Sequence, residues 1–294
     1  MGQTARRWVR TLGTMTAAAG CVLGMAATAG ATPAFPAGRA ALAHPAAPGH
    51  PAGRGGAAAP AYVPYQGILR PGMHGPAVTR LQQRLARLHY YPGKVSGRFG
   101  HNTTEAVWAF KEVQGLSTGK RADQVGHAMQ RALVSPRMPR VLAPHGPHLR
   151  VEVNLRREVL VLYRHGKVDL ISHVSAGGGY FYPCPGGGGT CGPAITPDGN
   201  FRAHWFAHGW LQVPLGFMYN PVFFIGGSYA IHGDRPVPLR PVSHGCVRIP
   251  VDIARFFHTL IHISQSHGTR IYIRGHAPGT GHQAAPPVRP GALP

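Results

Sequence analysis

Apolar and polar residues alternate from Leu149 onward. Val151, Val153 and Leu155 fall against Arg150, Glu152 and Asn154, the period of two that a half-buried strand requires. Val159 to Tyr163 predicts a second strand, His165-Gly166 a turn, and Val168 to Val174 a third strand. Phe201, Val222 to Ile225, Tyr229 to Ile231 and Ile271 to Ile273 add strand-like runs. One amphipathic helix is predicted from Val251 to Leu260, with Ile253, Phe256, Phe257 and Leu260 on one face. Upstream the period is helical. Val78, Leu81, Leu85 and Leu88 follow Pro76, which suits a first helical turn. Asn102 with Glu105 three residues on predicts a capping box opening a second helix, with Ala106, Val107, Phe110 and Val113 inward and Gly115 closing it. A third helix is predicted from Ala122 to Leu133, burying Val125, Met129 and Leu133.

The expected fold class is therefore multidomain α and β: a small three-helix module over residues 64–134, then a β-rich domain with one late helix over 149–275. Residues 32–63 are mostly Ala, Pro, Gly and His and read as a semi-rigid linker, as does the Pro-rich stretch 135–148. Residues 276–294 read as a disordered Pro/Gly tail.

Composition and the N-terminus say where such a chain works. Lys+Arg total 30 against Asp+Glu 9, a formal charge of +21, which favours polyanionic partners. Residues 1–31 read as a secretory signal: Arg6, Arg7 and Arg10 precede a weakly apolar stretch from Leu12 to Ala29, and Ala27-Thr28-Ala29 and Ala29-Gly30-Ala31 fit cleavage sites. The stretch is short and Gly/Thr-broken for a membrane span. A retained anchor and lipidation at Cys21 are the alternatives, and membrane contact is expected only there. Removing the segment takes three arginines from +21 and leaves +18. An exported protein meets no genome, so the charge points to anionic cell-wall polymers rather than nucleic acid. Of the four cysteines, Cys184 and Cys191 lie close together in a Gly/Pro-rich stretch and can form a disulfide. Cys246 is then an odd thiol, a candidate nucleophile.

The strongest chemical signal is Ile231-His232-Gly233 followed by Ser243-His244-Gly245-Cys246-Val247-Arg248. A thiol acyltransferase needs a sulfur, a base, oxyanion donors and a cation for a substrate carboxylate. Cys246 supplies sulfur, and either His232 or His244 can supply the base. Gly245 leaves the backbone open for close approach of neighbouring amides. Arg248, two residues along an extended segment, shares the face of Cys246 and can steady a thiolate or grip a carboxylate. Residue chemistry alone does not choose between the two histidines.

The segment resembles the active-site motif of the L,D-transpeptidases, a His-Gly step followed by Ser-His-Gly-Cys and an Arg two residues later. Met218-Tyr219-Asn220-Pro221 through His232-Gly233, Thr196 to Phe201 and Val151 to Tyr163 extend the likeness across nearly all of 149–274. That resemblance implies mixed β-sheets, Cys246 as the acylated nucleophile, His232 as its base and the Gly233 carbonyl orienting the imidazole. His244 joins the catalytic group, and Arg248, Ser243, Gly245 and Tyr219 shape the substrate site. It further implies peptidoglycan stem peptides as substrate: release of D-alanine from a tetrapeptide, a thioester, and a cross-link between two third residues. Water or a protein amine as acceptor would make the same thioester serve an L,D-carboxypeptidase or a protein-to-wall ligase. No cofactor or metal is implied, and no nucleotide-binding motif is present. A zinc reading of His232, His244 and Cys246 lacks a fourth ligand.

The upstream helices resemble the peptidoglycan-binding helical domain. The matching residues are Gly75, Val78, Leu81, Gln82, Leu85 and Leu88, Gly97-Arg98-Phe99-Gly100, then Thr104, Ala106-Val107, Phe110 and Gly115-Leu116. Ser96 stands where that family usually has Asp, and its closing Gly-x-x-Thr-Trp signature is missing. A non-catalytic wall-binding protein is the competing function class.

Overall fold

The computed structural model describes residues 61–91, 93–185 and 189–278. The expected leader with Cys21, nearly all of the Ala/Pro-rich linker and residues 279–294 of the expected tail lie outside the described residues. Among the described residues three helices come first: α1 (Pro76–Arg87), α2 (His101–Gln114) and α3 (His127–Val134). There follow β1 (Arg150–Asn154), β2 (Val159–Arg164), β3 (Lys167–His173), β4 (Phe181–Pro183), β5 (Thr190–Pro193) and β6 (Gly199–Arg202). The chain continues through β7 (Trp205–Phe206), β8 (Trp210–Val213), β9 (Gly216–Ile225), β10 (Tyr229–Asp234), β11 (Val247–Pro250), α4 (Val251–Phe257) and β12 (Arg270–Arg274).

One sheet runs β3-β2-β1-β12-β6, the second β11-β10-β9-β7 with β8 also on β9, and β4 pairs with β5. Pairing is antiparallel except β1 with β12 and β10 with β11, so the sheets are mixed as expected. The main core lies between the sheets and α4. Val151, Leu160 and Leu162 come from the first sheet, Phe224, Ile231, Val247 and Ile249 from the second, and Ile253 and Phe257 from α4.

The alternate residues of β2, Val159, Val161 and Tyr163, point the other way and join Ile171 in the core of the helical module. This explains why β2 reads as an unbroken apolar run: both of its faces are covered. Each such side chain contributes about 1.5–3 kcal/mol when fully buried, so the helices and the sheet hold each other. Residues 135–148 lie along this seam. Gln114 exchanges two hydrogen bonds with the Arg137 backbone (2.8 and 3.0 Å), and Glu152 accepts from the Leu142 and Ala143 amides (2.7 and 3.3 Å).

Three local expectations need correction. The capping box at Asn102 does not form. α2 begins two residues earlier, with an extended Gly100 at its N-cap and no side-chain cap, and Glu105 instead meets His101 at 3.0 Å. α3 starts at His127, because Val125 is drawn into a backbone bridge with Leu69. α4 ends at Phe257, before the expected Leu260. Gly115 does close α2 in the left-handed conformation, φ 71°.

Candidate active site

β10 and β11 lie side by side in parallel, with Ile231 opposite Val247 and His232 opposite Arg248. Ile231, Val247 and Ile249 enter the core, so the strand period puts His232, Cys246 and Arg248 on the other face. There they line a cleft of about 410 Å³ together with Ser243 and His244. Tyr182 and Pro185 of the β4–β5 hairpin line it too, and Val213, Leu215 and Phe217 come from the β8–β9 hairpin. Phe217 is 59% exposed and Leu215 40%, so that wall offers apolar surface to a ligand. Cys184 and Cys191 are joined, linking the two strands of the β4–β5 hairpin.

His232 is 4% exposed. Its Nδ1 lies 3.0 Å from the Gly233 carbonyl, which can only accept, so Nδ1 carries the proton and Nε2 keeps its lone pair. Burial, helped by the Arg248 guanidinium, pulls its pKa down to about 4 against the opposing pull of the Gly233 carbonyl and Asp234. The imidazole is therefore neutral at physiological pH. Gly233 is packed so closely that a Cβ there would sit 2.7 Å from the Ala254 Cβ and 3.1 Å from the Tyr219 Cβ. The carbonyl that orients His232 is thus fixed between α4 and β9.

Cys246 is partly buried, with its sulfur 3.8 Å from the Ser228 carbonyl. Burial raises its pKa, while a backbone hydrogen bond from Ala230 and the Arg248 charge oppose the rise. Thiol and imidazole both rest uncharged. Arg248 faces Asp234 at 3.1 Å as an ion pair without hydrogen-bond alignment.

The turn before Cys246 is built by Ser243, whose Oγ accepts from the Gly245 amide (3.0 Å) and donates to the Cys246 carbonyl (2.5 Å). Gly245 has φ 137°, and a Cβ there would meet the Tyr229 ring at 2.6 Å, so glycine is required on both counts. The Gly245 amide is committed to Ser243 and is therefore not itself open to an oxyanion. Thr196 holds the Gly245 carbonyl at 2.7 Å and accepts from the Gly177 amide at 2.8 Å.

His244 lies edge-on to Tyr182 (4.6 Å between ring centroids) and Tyr180 (5.5 Å). Burial and Arg248 lower its pKa. Tyr219 is not among the cleft-lining residues. It packs behind Gly233 and against Trp210, 5.0 Å away. Sequence reasoning missed Tyr182 as a wall residue and the part played by Thr196, although the motif around Thr196 was visible. Among the described residues, no group of three or more His, Cys, Asp and Glu side chains is placed to hold a metal ion, and no helix is long and apolar enough to cross a membrane.

The cleft brings a free thiol and a buried imidazole together on a mixed β-sheet domain that follows a helical module. Residues 148–273 match the family model of the L,D-transpeptidase catalytic domain, and residues 74–124 that of a peptidoglycan binding domain. A solved L,D-transpeptidase from Xylanimonas cellulosilytica is 32% identical with a TM-score of 0.63, over 72% of this chain and all of that one. A solved L,D-transpeptidase from Stackebrandtia nassauensis is 17% identical with a TM-score of 0.40, over 74% of this chain and all of that one. No curated protein sequence matches this chain. The chain belongs to the L,D-transpeptidase family.

Proposed function

We propose that the protein is an exported acyltransferase that forms cross-links between the third residues of peptidoglycan stem peptides, with Cys246 as nucleophile. The observation that carries this reading is the buried, neutral His232. Its Nδ1 is tied to the Gly233 carbonyl, and it shares one strand face and one cleft with the free thiol Cys246. His232 Nε2 takes the Cys246 proton as sulfur attacks the carbonyl between the third residue and the terminal D-alanine. The C–S bond forms, the C–N bond breaks, and the imidazolium returns the proton to the departing D-alanine amine. The side-chain amine of a second stem peptide then gives a proton to His232, attacks the thioester and releases the thiol. The energy of the broken peptide bond is kept in the thioester, so no nucleotide is required.

Neutral partners suit this cycle. A base with a low pKa is unprotonated at working pH, and a raised thiol pKa means that charge develops mainly during attack. There Arg248 stands beside the sulfur and can also meet a substrate carboxylate. With the Gly245 amide committed, the oxyanion draws on the amides of His244 and Cys246. Site roles follow from this geometry: Ser243 and Thr196 shape the turn, and His244 with Tyr182 borders the donor peptide. The helical module and a charge of +18 after leader removal hold the protein on peptidoglycan and anionic wall polymers.

Incubation with a disaccharide tetrapeptide tests the reading. D-alanine and a dimer joined through third residues are expected from the wild type and neither from Cys246→Ala. D-alanine without dimer would replace the cross-linking reading with hydrolysis. Equal release by Cys246→Ala would overturn the nucleophile.

A further inference from the structure

We infer that His173, held by Glu112 of the helical module, is a positioning residue for the loop that carries the active-site turn. On this view the module is a working part of the catalytic unit as well as a wall anchor. The inference rests on the transpeptidase reading for its activity test but not for its geometry.

His173 ends β3 and is 1% exposed. Its Nδ1 lies 2.8 and 3.0 Å from the two Glu112 oxygens, across 61 residues of sequence. Its Nε2 lies 3.2 Å from the Pro238 carbonyl. That carbonyl only accepts, so Nε2 carries a proton and donates to it. Pro238 sits in the segment that joins His232-Gly233 to Ser243 and Cys246. The same edge, continued from β3, ties down the rest of the segment. The Ser175 hydroxyl donates to the Arg240 carbonyl (2.8 Å) and the Ala176 carbonyl accepts from the Ser243 amide (2.9 Å). His173 is the tie whose own anchor lies in α2.

The surroundings suit positioning and not solvation. Trp108 of α2 covers the imidazole edge-on at 5.6 Å. The charged groups facing His173 are Glu112 and Glu105 from α2 and Glu158 from the β1–β2 turn. Glu158 is itself used, since its Oε2 accepts from the Ala176 amide at 2.8 Å. Among the described residues its Oε1 has no hydrogen-bond partner. Whether Glu112 and His173 rest as an ion pair or share one neutral hydrogen bond, Nε2–H stays aimed at Pro238. Nothing in the wall-binding role of a helix calls for a buried carboxylate aimed away from its own module. Holding the catalytic loop does.

The test compares the full chain with Glu112→Leu/His173→Leu, which removes both partners and leaves no uncompensated buried charge, so the fold should survive. Met129→Ala serves as control, because it opens the helical core in α3 away from the tie. Two rates are read: D-alanine release from a disaccharide tetrapeptide, and iodoacetamide labelling located on Cys246 by peptide mass. The double variant should lose about tenfold in kcat with KM within about twofold of wild type, since a reacting group displaced by a fraction of an ångström loses this much. Cys246 labelling should differ from wild type by at least about threefold across the pH range. Glu112→Gln, which keeps a hydrogen-bonding group, should recover most of the loss, whereas Met129→Ala should lower Tm and leave labelling unchanged. Wild-type kcat and labelling in the double variant, or an equal change in Met129→Ala, would overturn the inference. A labelling change without D-alanine release by the wild type would support the positioning role and overturn the transpeptidase reading.

Discussion

Ser243 braces the turn that aims Cys246, so its loss should cost both stability and rate. Its hydroxyl joins the Gly245 amide (3.0 Å) to the Cys246 carbonyl (2.5 Å), and the residue is 1% exposed. Ser243→Ala removes the bridge without adding bulk and leaves two backbone groups short of a partner. An orphaned buried group costs about 1–3 kcal/mol, and water can partly satisfy the Cys246 carbonyl at the cleft, so the net loss should be about 2 kcal/mol. For a chain of this size that is a Tm decrease of roughly 4–8 °C. Catalysis should suffer more. The turn that aims Cys246 loses its internal brace, and a misplacement of about 1 Å costs on the order of 100-fold in rate. Differential scanning calorimetry and initial rates of D-alanine release provide the two numbers, with kcat expected to fall far more than KM rises. A Tm decrease with unchanged kcat would show that Ser243 only stabilises the fold. No change in either would refute the hydrogen-bond argument itself.

Three further outcomes follow from the same geometry. Because burial holds His232 at a pKa of about 4, the base is active above that value, so the acid limb of kcat/KM should fall near pH 4 and not near 6.5. Glu158 is pushed by burial from 4.5 up to about 8, so the folded state binds its proton more tightly than the unfolded chain does. Its contribution to stability is full below pH 4.5 and lost as pH rises towards 8, and Tm of Glu158→Gln should therefore decline less over that window than wild type. Opening the Cys184–Cys191 hairpin with a double Ser substitution removes a short-loop constraint of about 2.5 kcal/mol on the cleft wall. Donor KM should rise several-fold while Cys246 labelling stays at the wild-type rate.

Much of this was legible in the sequence where the pattern is local. The alternation at Val151, Val153 and Leu155 marks a strand because one face meets the core, and Val159 to Tyr163 breaks the alternation because the helices cover its second face. The Ser-His-Gly-Cys-x-Arg string is compact enough that its short turn and the start of β11 bring Ser243, His244, Cys246 and Arg248 to one cleft. What the sequence hid is contact at long range. Glu112 reads as one polar position on a helix, and only the packing of α2 on β3 brings it to His173. Thr196 reaches Gly245 across 49 residues. Tyr219 looked like a cleft residue, yet its register opposite Gly233 turns it to a packing role. The Asn102 cap failed because Gly100, two residues earlier, already supplies the extended backbone from which α2 starts.

The central claim is that Cys246 carries the acyl group. Intact-protein mass spectrometry during turnover of a disaccharide tetrapeptide, followed by peptide mapping, tests it directly. An adduct of the donor minus D-alanine is expected on the Cys246 peptide, removed by hydroxylamine and absent in Cys246→Ala. D-alanine release with no such adduct in the wild type after rapid acid quench, or an adduct that persists in Cys246→Ala, would contradict it.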